Sequence, residues 1–233
     1  MAQLNKSPLG KVQGKLGDMA FRQRNGKNII ALRPKKPYTP AADQGSIDRR
    51  SRFAFSAKLA QSIYSVPELA ALWLPVTPSG MSAYNYIIQK NITLVNPDAV
   101  TDLTAITPGL GFAANCTDAA LSANAVSVAL AALGRTTGID ISSEPNVKLA
   151  YVLSLVNPAN KSLPDFWFVA GAAAAQPTVL DTPMTFSIPL FGQEAAGVGN
   201  YGDKRLLFAL VTLDSANKPV KYSGTLQRVL TGT

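Results

Sequence analysis

A chain of 233 residues with 47% hydrophobic and only 15% charged side chains is too apolar to be a disordered polyelectrolyte, and long enough for one large domain or two small ones. It has no histidine and a single cysteine, which excludes Ser-His and Cys-His nucleophile systems, a tetrahedral structural zinc site and any internal disulfide. The formal net charge is +8, and its placement says more than its size.

All of that charge lies in residues 1–40. Nine bases stand there (Lys6, Lys11, Lys15, Arg22, Arg24, Lys27, Arg33, Lys35 and Lys36) against one acid, Asp18. Of the 22 bases and 14 acids in the whole chain, the 13 and 13 that remain cancel. Such a block creates a local positive potential that attracts a polyanion or an acidic protein face. Contacts from it to phosphates would release counterions and make binding steeply salt-dependent. We read Lys11, Lys15, Arg22, Arg24, Lys27, Arg33, Lys35 and Lys36 as candidate contacts to a neighbouring subunit or to nucleic acid; a solvated basic tail is the plainer alternative. Residues 1–10 lack the apolar stretch of a secretory signal, so synthesis in the cytoplasm without a cleaved leader is expected. No segment reaches the ~20 apolar residues of a membrane span, and no membrane contact is expected.

The elements follow in chain order. Gly10, Gly14 and Gly17 make the first stretch too flexible for a stable helix. Residues 18–24 then alternate, with Met19, Phe21 and Gln23 on one side and Ala20, Arg22 and Arg24 on the other. Asn25-Gly26 follows, and residues 28–32 are apolar. An Asn-Gly pair between such runs predicts a β-hairpin closed by a type I′ turn, which needs positive φ at both central residues. Pro34, Pro37 and Pro40 recur every third residue and favour an extended strap leading into the body.

Several of these segments carry a resemblance. Gly14-Lys15-Leu16-Gly17, Phe21-Arg22, Asn25-Gly26-Lys27 and Leu32-Arg33-Pro34-Lys35-Lys36-Pro37 resemble the start of an uncharacterised protein family of Bacteroidota and their phages. In that family a Gly-Lys-x-Gly segment precedes a short hairpin ending in Arg-x-x-Pro-Lys-Lys; here one residue, not three, separates Arg33 from Lys35. The likeness continues with Phe53 and Phe55 in a helix, Ser82-Ala83-Tyr84-Asn85, and a final hairpin within 207–226. The family has no established activity, so the resemblance implies an architecture and leaves function open.

Ser46 is the expected cap of a helix over 47–64, in which Phe55, Leu59 and Ile63 recur every four residues beside Phe53, Ala57, Ala60 and Tyr64. A second helix is predicted over 67–73, with Pro67 in its first turn, and a third over 82–91, with Tyr84, Ile87 and Ile88 on one side. These stripes read as core. Beyond residue 96, strands are predicted over 126–133, 138–142, 148–156, 166–172, 184–190, 206–213, 220–223 and 226–230. Turn clusters at 157–160, 197–202 and 214–219 separate them. The reading is an α+β protein: a basic hairpin arm over 1–45, a helical segment over 46–95, and an antiparallel, immunoglobulin-like β-sandwich over 96–233.

Motifs that carry chemistry are weak. The run from Gly10 to Lys15 lacks the spacing of a phosphate loop and has Leu16 where the loop needs Ser or Thr. Gly109-Leu110-Gly111 reads as a loop. Ser215-Ala216-Asn217-Lys218 matches Ser-x-x-Lys but falls in an expected hairpin turn. Asp43 with Asp48, and Asp140 with Glu144, are the nearest acid pairs, and both read as solvated surface. Cys116 reads as a buried free thiol. No catalytic residue, cofactor or metal is expected. The chain reads as a non-enzymatic structural subunit of an oligomeric assembly, such as a phage virion. Its partners would be further copies of itself or other subunits, with nucleic acid through the basic arm as the alternative.

Overall fold

The computed structural model describes residues 2–4, 13–24, 27–32, 39–122 and 124–230. They fall into two compact units, Met1–Ser46 and Ile47–Thr233. In the first, β1 (Ala2–Leu4), β2 (Gly14–Leu16), β3 (Met19–Arg24) and β4 (Lys27–Leu32) form a four-stranded antiparallel sheet in the order β1-β4-β3-β2. Strands β3 and β4 pair from Met19↔Leu32 to Arg24↔Lys27, leaving a two-residue connection at the expected hairpin position. Asn25 and Gly26 themselves lie outside the described residues, as do Pro34 and Pro37 of the expected strap. Sequence predicts neither β1 nor β2, because a three-residue strand shows no readable alternation.

Helix α1 (Gln44–Ser65) begins earlier than expected. Its cap is Asp43, whose carboxylate accepts the Ser46 N–H at 2.9 Å. Asp43 thus takes the capping place expected for Ser46, and Ser46, three residues on, supplies the donor instead of the acceptor. The helix buries Phe55, Leu59, Ala60 and Ile63. Helix α2 (Pro67–Trp73) has Pro in its first turn, where the missing N–H costs nothing. Helix α3 (Ala83–Asn91) is capped by the Ser82 hydroxyl, which accepts the Asn85 N–H at 3.3 Å.

The remaining elements are β5 (Cys116–Leu121), β6 (Ala125–Leu130), β7 (Asn146–Pro158), β8 (Phe166–Ala172), β9 (Gln176–Pro177), β10 (Met184–Pro189), α4 (Gln193–Val198), β11 (Tyr201–Leu213), β12 (Pro219–Tyr222) and β13 (Leu226–Val229). Strands β10-β6-β5 make a three-stranded sheet, and β12-β11-β7-β8 run through a six-stranded one, with β13 also on β11 and β9 also on β7. All of these pairings are antiparallel. The fold is therefore α+β.

The long strands β7 and β11 are buried on both faces, and the register explains how. Leu149, Tyr151, Leu153 and Leu155 of β7, with Leu206, Phe208 and Leu210 of β11, share one core with Val126, Val128, Leu130, Met184, Phe186 and Ile188 of the smaller sheet. The intervening Ala150, Val152, Leu207, Ala209 and Val211 share a second core with Phe55, Leu59, Ile63, Leu69, Trp73 and Ile87 of the helices. A sheet covered on both sides needs apolar residues at every position, whereas β10, covered on one side, alternates buried with exposed along its length.

Two expectations fail locally. Residues 138–142 are no strand: a 3-10 turn, Arg135–Thr137, leads into a turn in which the Asp140 carboxylate accepts the Ser142 N–H at 3.0 Å and the Ser143 hydroxyl at 2.9 Å. That local bonding satisfies the backbone in place of a strand ladder. The turn expected over 197–202 instead begins in α4. Gly197 there lies under the Trp167 ring; an added Cβ would sit 1.8 Å from Cζ3 of the indole. Gly197→Ala must displace the indole, so it should lower stability by about 1–3 kcal/mol and shift the tryptophan emission maximum. Unchanged emission and stability would contradict this packing.

Candidate functional site

The candidate site is the sheet of the first unit, and its register sorts the residues. Lys15 lies opposite Ala20, which pairs with Ala31, and Arg22 lies opposite Ile29. By the two-residue period of a strand, positions 15, 20, 22, 24, 27, 29 and 31 share one face. Positions 14, 16, 19, 21, 23, 28, 30 and 32 share the other, where Leu16 meets Met19 and Met19 meets Leu32. One face thus carries Lys15 and Arg22 among the candidate bases, and the backbone positions 24 and 27 fall in line with them. The opposite face collects Leu16, Met19, Phe21, Ile30 and Leu32.

Exposure sharpens the contrast. Lys15 and Arg22 are exposed, and neither has an ion-pair partner among the described residues. Leu16 is 66% and Leu32 78% exposed, values unusual for leucines on a sheet face. Arg24 and Lys27 are placed by backbone register alone. Lys11, Arg33, Lys35 and Lys36 lie outside the described residues.

The second unit holds a polar cluster that sequence misjudges. Glu144 is buried, not solvated, at 1% exposure. Its carboxylate accepts from Lys221 Nζ at 2.8 Å, from the Thr212 hydroxyl, and from the Asp140 N–H at 3.4 Å. Burial pushes its pKa up, but the hydrogen bonds from Lys221, Thr212 and the Asp140 backbone outweigh burial and hold it below the ordinary value. Asp140, its neighbour in sequence, stays at the surface of the turn. The cluster ties the 138–144 turn to β11 and β12.

Other singled-out residues have structural places. The Cys116 thiol is buried, which raises its pKa, with the Arg228 charge opposing that rise; its S–H points to the Asp118 carbonyl at 3.3 Å. Gly111 adopts φ +57, and an added Cβ would sit 1.9 Å from the Tyr222 carbonyl oxygen, so the Gly109-Leu110-Gly111 loop is a close backbone contact beside β12. In the Ser215 to Lys218 segment, the Asp214 carboxylate accepts the Ala216 and Lys218 N–H groups, both at 2.8 Å, which makes it the turn between β11 and β12. A groove of about 480 Å³ runs between α1 and the start of β8, lined by Lys58, Gln61, Ser65, Phe166, Trp167 and Phe168. No helix among the described residues is long and apolar enough to cross a membrane.

Sequence alternation alone shows the split between Arg22 and Phe21. What it misses is the addition of Lys15 and Leu16 through β2, whose only signal is the Gly-Asp pair before Met19. No family model matches the chain, and no curated protein matches it.

Proposed function

We propose that this chain is a non-enzymatic structural subunit of a larger oligomeric assembly, such as a phage virion, and that its N-terminal sheet engages a neighbouring subunit. One observation carries this reading: a sheet of strands three to six residues long presents exposed leucines on one face and bases on the other. A contiguous exposed apolar face on such a sheet marks a contact surface. The missing histidine and the structural roles of Cys116 and Glu144 support a non-enzymatic role. The resemblance to the Bacteroidota and phage family belongs to the same proposal and rests on short motifs spread over most of the chain.

The body is read as an immunoglobulin-like sandwich. The order β5-β6-β10 corresponds to strands A-B-E of that topology, and β12-β11-β7-β8 to G-F-C-C′. The shared core between the two sheets supports this, with helices α1 to α3 added on the outer face of the larger sheet. Such a rigid body carrying a short arm suits an assembly subunit.

The basic face supports a second reading, a nucleic-acid-binding accessory protein, and the two are separable. Light scattering of the full chain tests assembly, and binding to a DNA duplex across a salt series tests the polyanion. Leu16→Ser with Leu32→Ser should reduce assembly while sparing charge. Replacing Arg22, Arg24 and Lys27 with Gln should flatten the salt slope of any nucleic-acid binding in proportion to the number of phosphates no longer neutralised. Gly26→Val, which leaves every charge in place, should strain the hairpin turn by about 1–2 kcal/mol and weaken assembly if the folded hairpin is the contact. A monodisperse monomer at all concentrations, unchanged by any variant, would sink the assembly reading.

A further inference from the structure

Strand β8 ends the larger sheet on the side opposite β12. The Ala173 N–H donates to the Leu149 carbonyl at 2.8 Å, next in register after the Ala150↔Ala172 pair. In an antiparallel ladder hydrogen-bonded and non-bonded pairs alternate. Trp167, Val169 and Gly171 therefore turn both backbone groups toward β7. Phe166, Phe168, Ala170 and Ala172 turn theirs to the open edge, where none has a hydrogen-bond partner among the described residues. The strand reads Phe-Trp-Phe-Val-Ala-Gly-Ala, seven residues in unbroken register with β7. It has no lysine, no proline and no bulge, the devices that keep an exposed edge from pairing.

We propose that β8 pairs antiparallel with β8 of a second copy, about a two-fold axis at Val169, joining the two larger sheets into one. The strand's own order of sizes argues for a second copy as the occupant. Centred on Val169, the pairing sets Phe166 against the partner's Ala172, Trp167 against the partner's Gly171, and Phe168 against the partner's Ala170. Every aromatic ring thus meets a small residue, and no charge opposes a like charge. Only this register uses all four outward residues of both strands. A two-residue slip would set Phe168 against the partner's Phe168 and leave Ala172 unpaired. The groove between α1 and residues 166–168 gives the partner's small residues room to approach. A strand edge of seven residues covers less than the ~800 Å² per partner of a standard interface, so the pair should dissociate on dilution.

Backbone amide hydrogen exchange on the full chain, at high and low concentration, tests this. At high concentration the amides of Phe166, Phe168, Ala170 and Ala172 should slow by about tenfold or more and recover on dilution. Those of Trp167, Val169 and Gly171, bonded to β7, should be slow at both. Scattering mass should fall toward the 24.6 kDa chain over the same range. Ala170→Pro removes an outward N–H while sparing the β7 ladder, and proline is tolerated at edges, so this variant should lose the concentration dependence. Four amides that exchange fast at every concentration, or slowly at every concentration, would overturn the proposal. So would a dimer that leaves them unchanged, or Ala170→Pro associating like the parent. If Ala170→Pro does not fold, the exchange pattern of the parent decides alone. The readout is specific to β8, so it stands or falls separately from assembly through the N-terminal sheet.

Discussion

Phe55→Ala is expected to lower the unfolding free energy by about 3–5 kcal/mol, the largest single effect anticipated in this chain. Phe55 is fully buried, with ring centroids 4.8 Å from Phe166 and 5.1 Å from Phe168 in edge-on geometry. Truncation removes both aromatic contacts and opens a cavity between a helix and a sheet that cannot easily collapse into it. Phe53, two residues earlier and half exposed at 52%, provides the control: Phe53→Ala should change stability by no more than about 0.5 kcal/mol. Urea unfolding of the two variants measures the difference, with m unchanged in both. Equal midpoints would mean that α1 does not dock as described. Because both ring partners of Phe55 sit on β8, its loss should also speed exchange at the first residues of that strand.

The second large effect is electrostatic. Lys221→Met removes the charged partner that a buried carboxylate, Glu144, has among the described residues, and should cost about 3 kcal/mol at neutral pH. The Lys221 side chain is 42% exposed, which keeps this figure at the lower end for a broken buried pair. The sign of the pH dependence follows from the lowered pKa of Glu144. A carboxylate held lower when folded contributes its stability in full above its ordinary value near 4.5 and loses it as pH falls through the folded value. The parent should therefore weaken below about pH 4.5. In the variant, burial is no longer opposed by Lys221, so Glu144 takes up a proton at higher pH. The gap between parent and variant should then narrow in acid. Thermal unfolding at neutral pH and in mild acid checks this, and a gap that stays constant or widens in acid would refute it.

Legibility in the sequence follows the physics of each element. Strand β8 is readable end to end, and β10 nearly so, because Met184, Phe186 and Ile188 alternate with polar or exposed neighbours. The apolar runs of β7 and β11 announce strands but do not reveal that one face meets helices and the other a second sheet. Only the register, with Leu153 opposite Leu206 and Val152 opposite Leu207, assigns the faces. Glu144 is misread from sequence because an acid in a Ser-rich turn beside Asp140 looks solvated. Its partners Thr212 and Lys221 lie 68 and 77 residues further on, beyond any local pattern. In the N-terminal unit, the alternation of Met19 and Phe21 with Ala20 and Arg22 shows the two faces, whereas the short strand carrying Lys15 leaves no sign beyond the Gly17-Asp18 pair that follows it.

The pairing of β7 with β11 has a kinetic consequence. Tyr201 meets Pro158 at one end of this ladder and Leu213 meets Asn146 at the other, so the central strands of the body are distant in sequence. The β7–β8 hairpin is local and can form early, but β11 can dock only after the intervening chain has been looped out, at an entropic cost met before the ladder repays it. Until then the apolar edge of β7 that β11 later covers stands open, and folding should be slow and most vulnerable to aggregation in that interval.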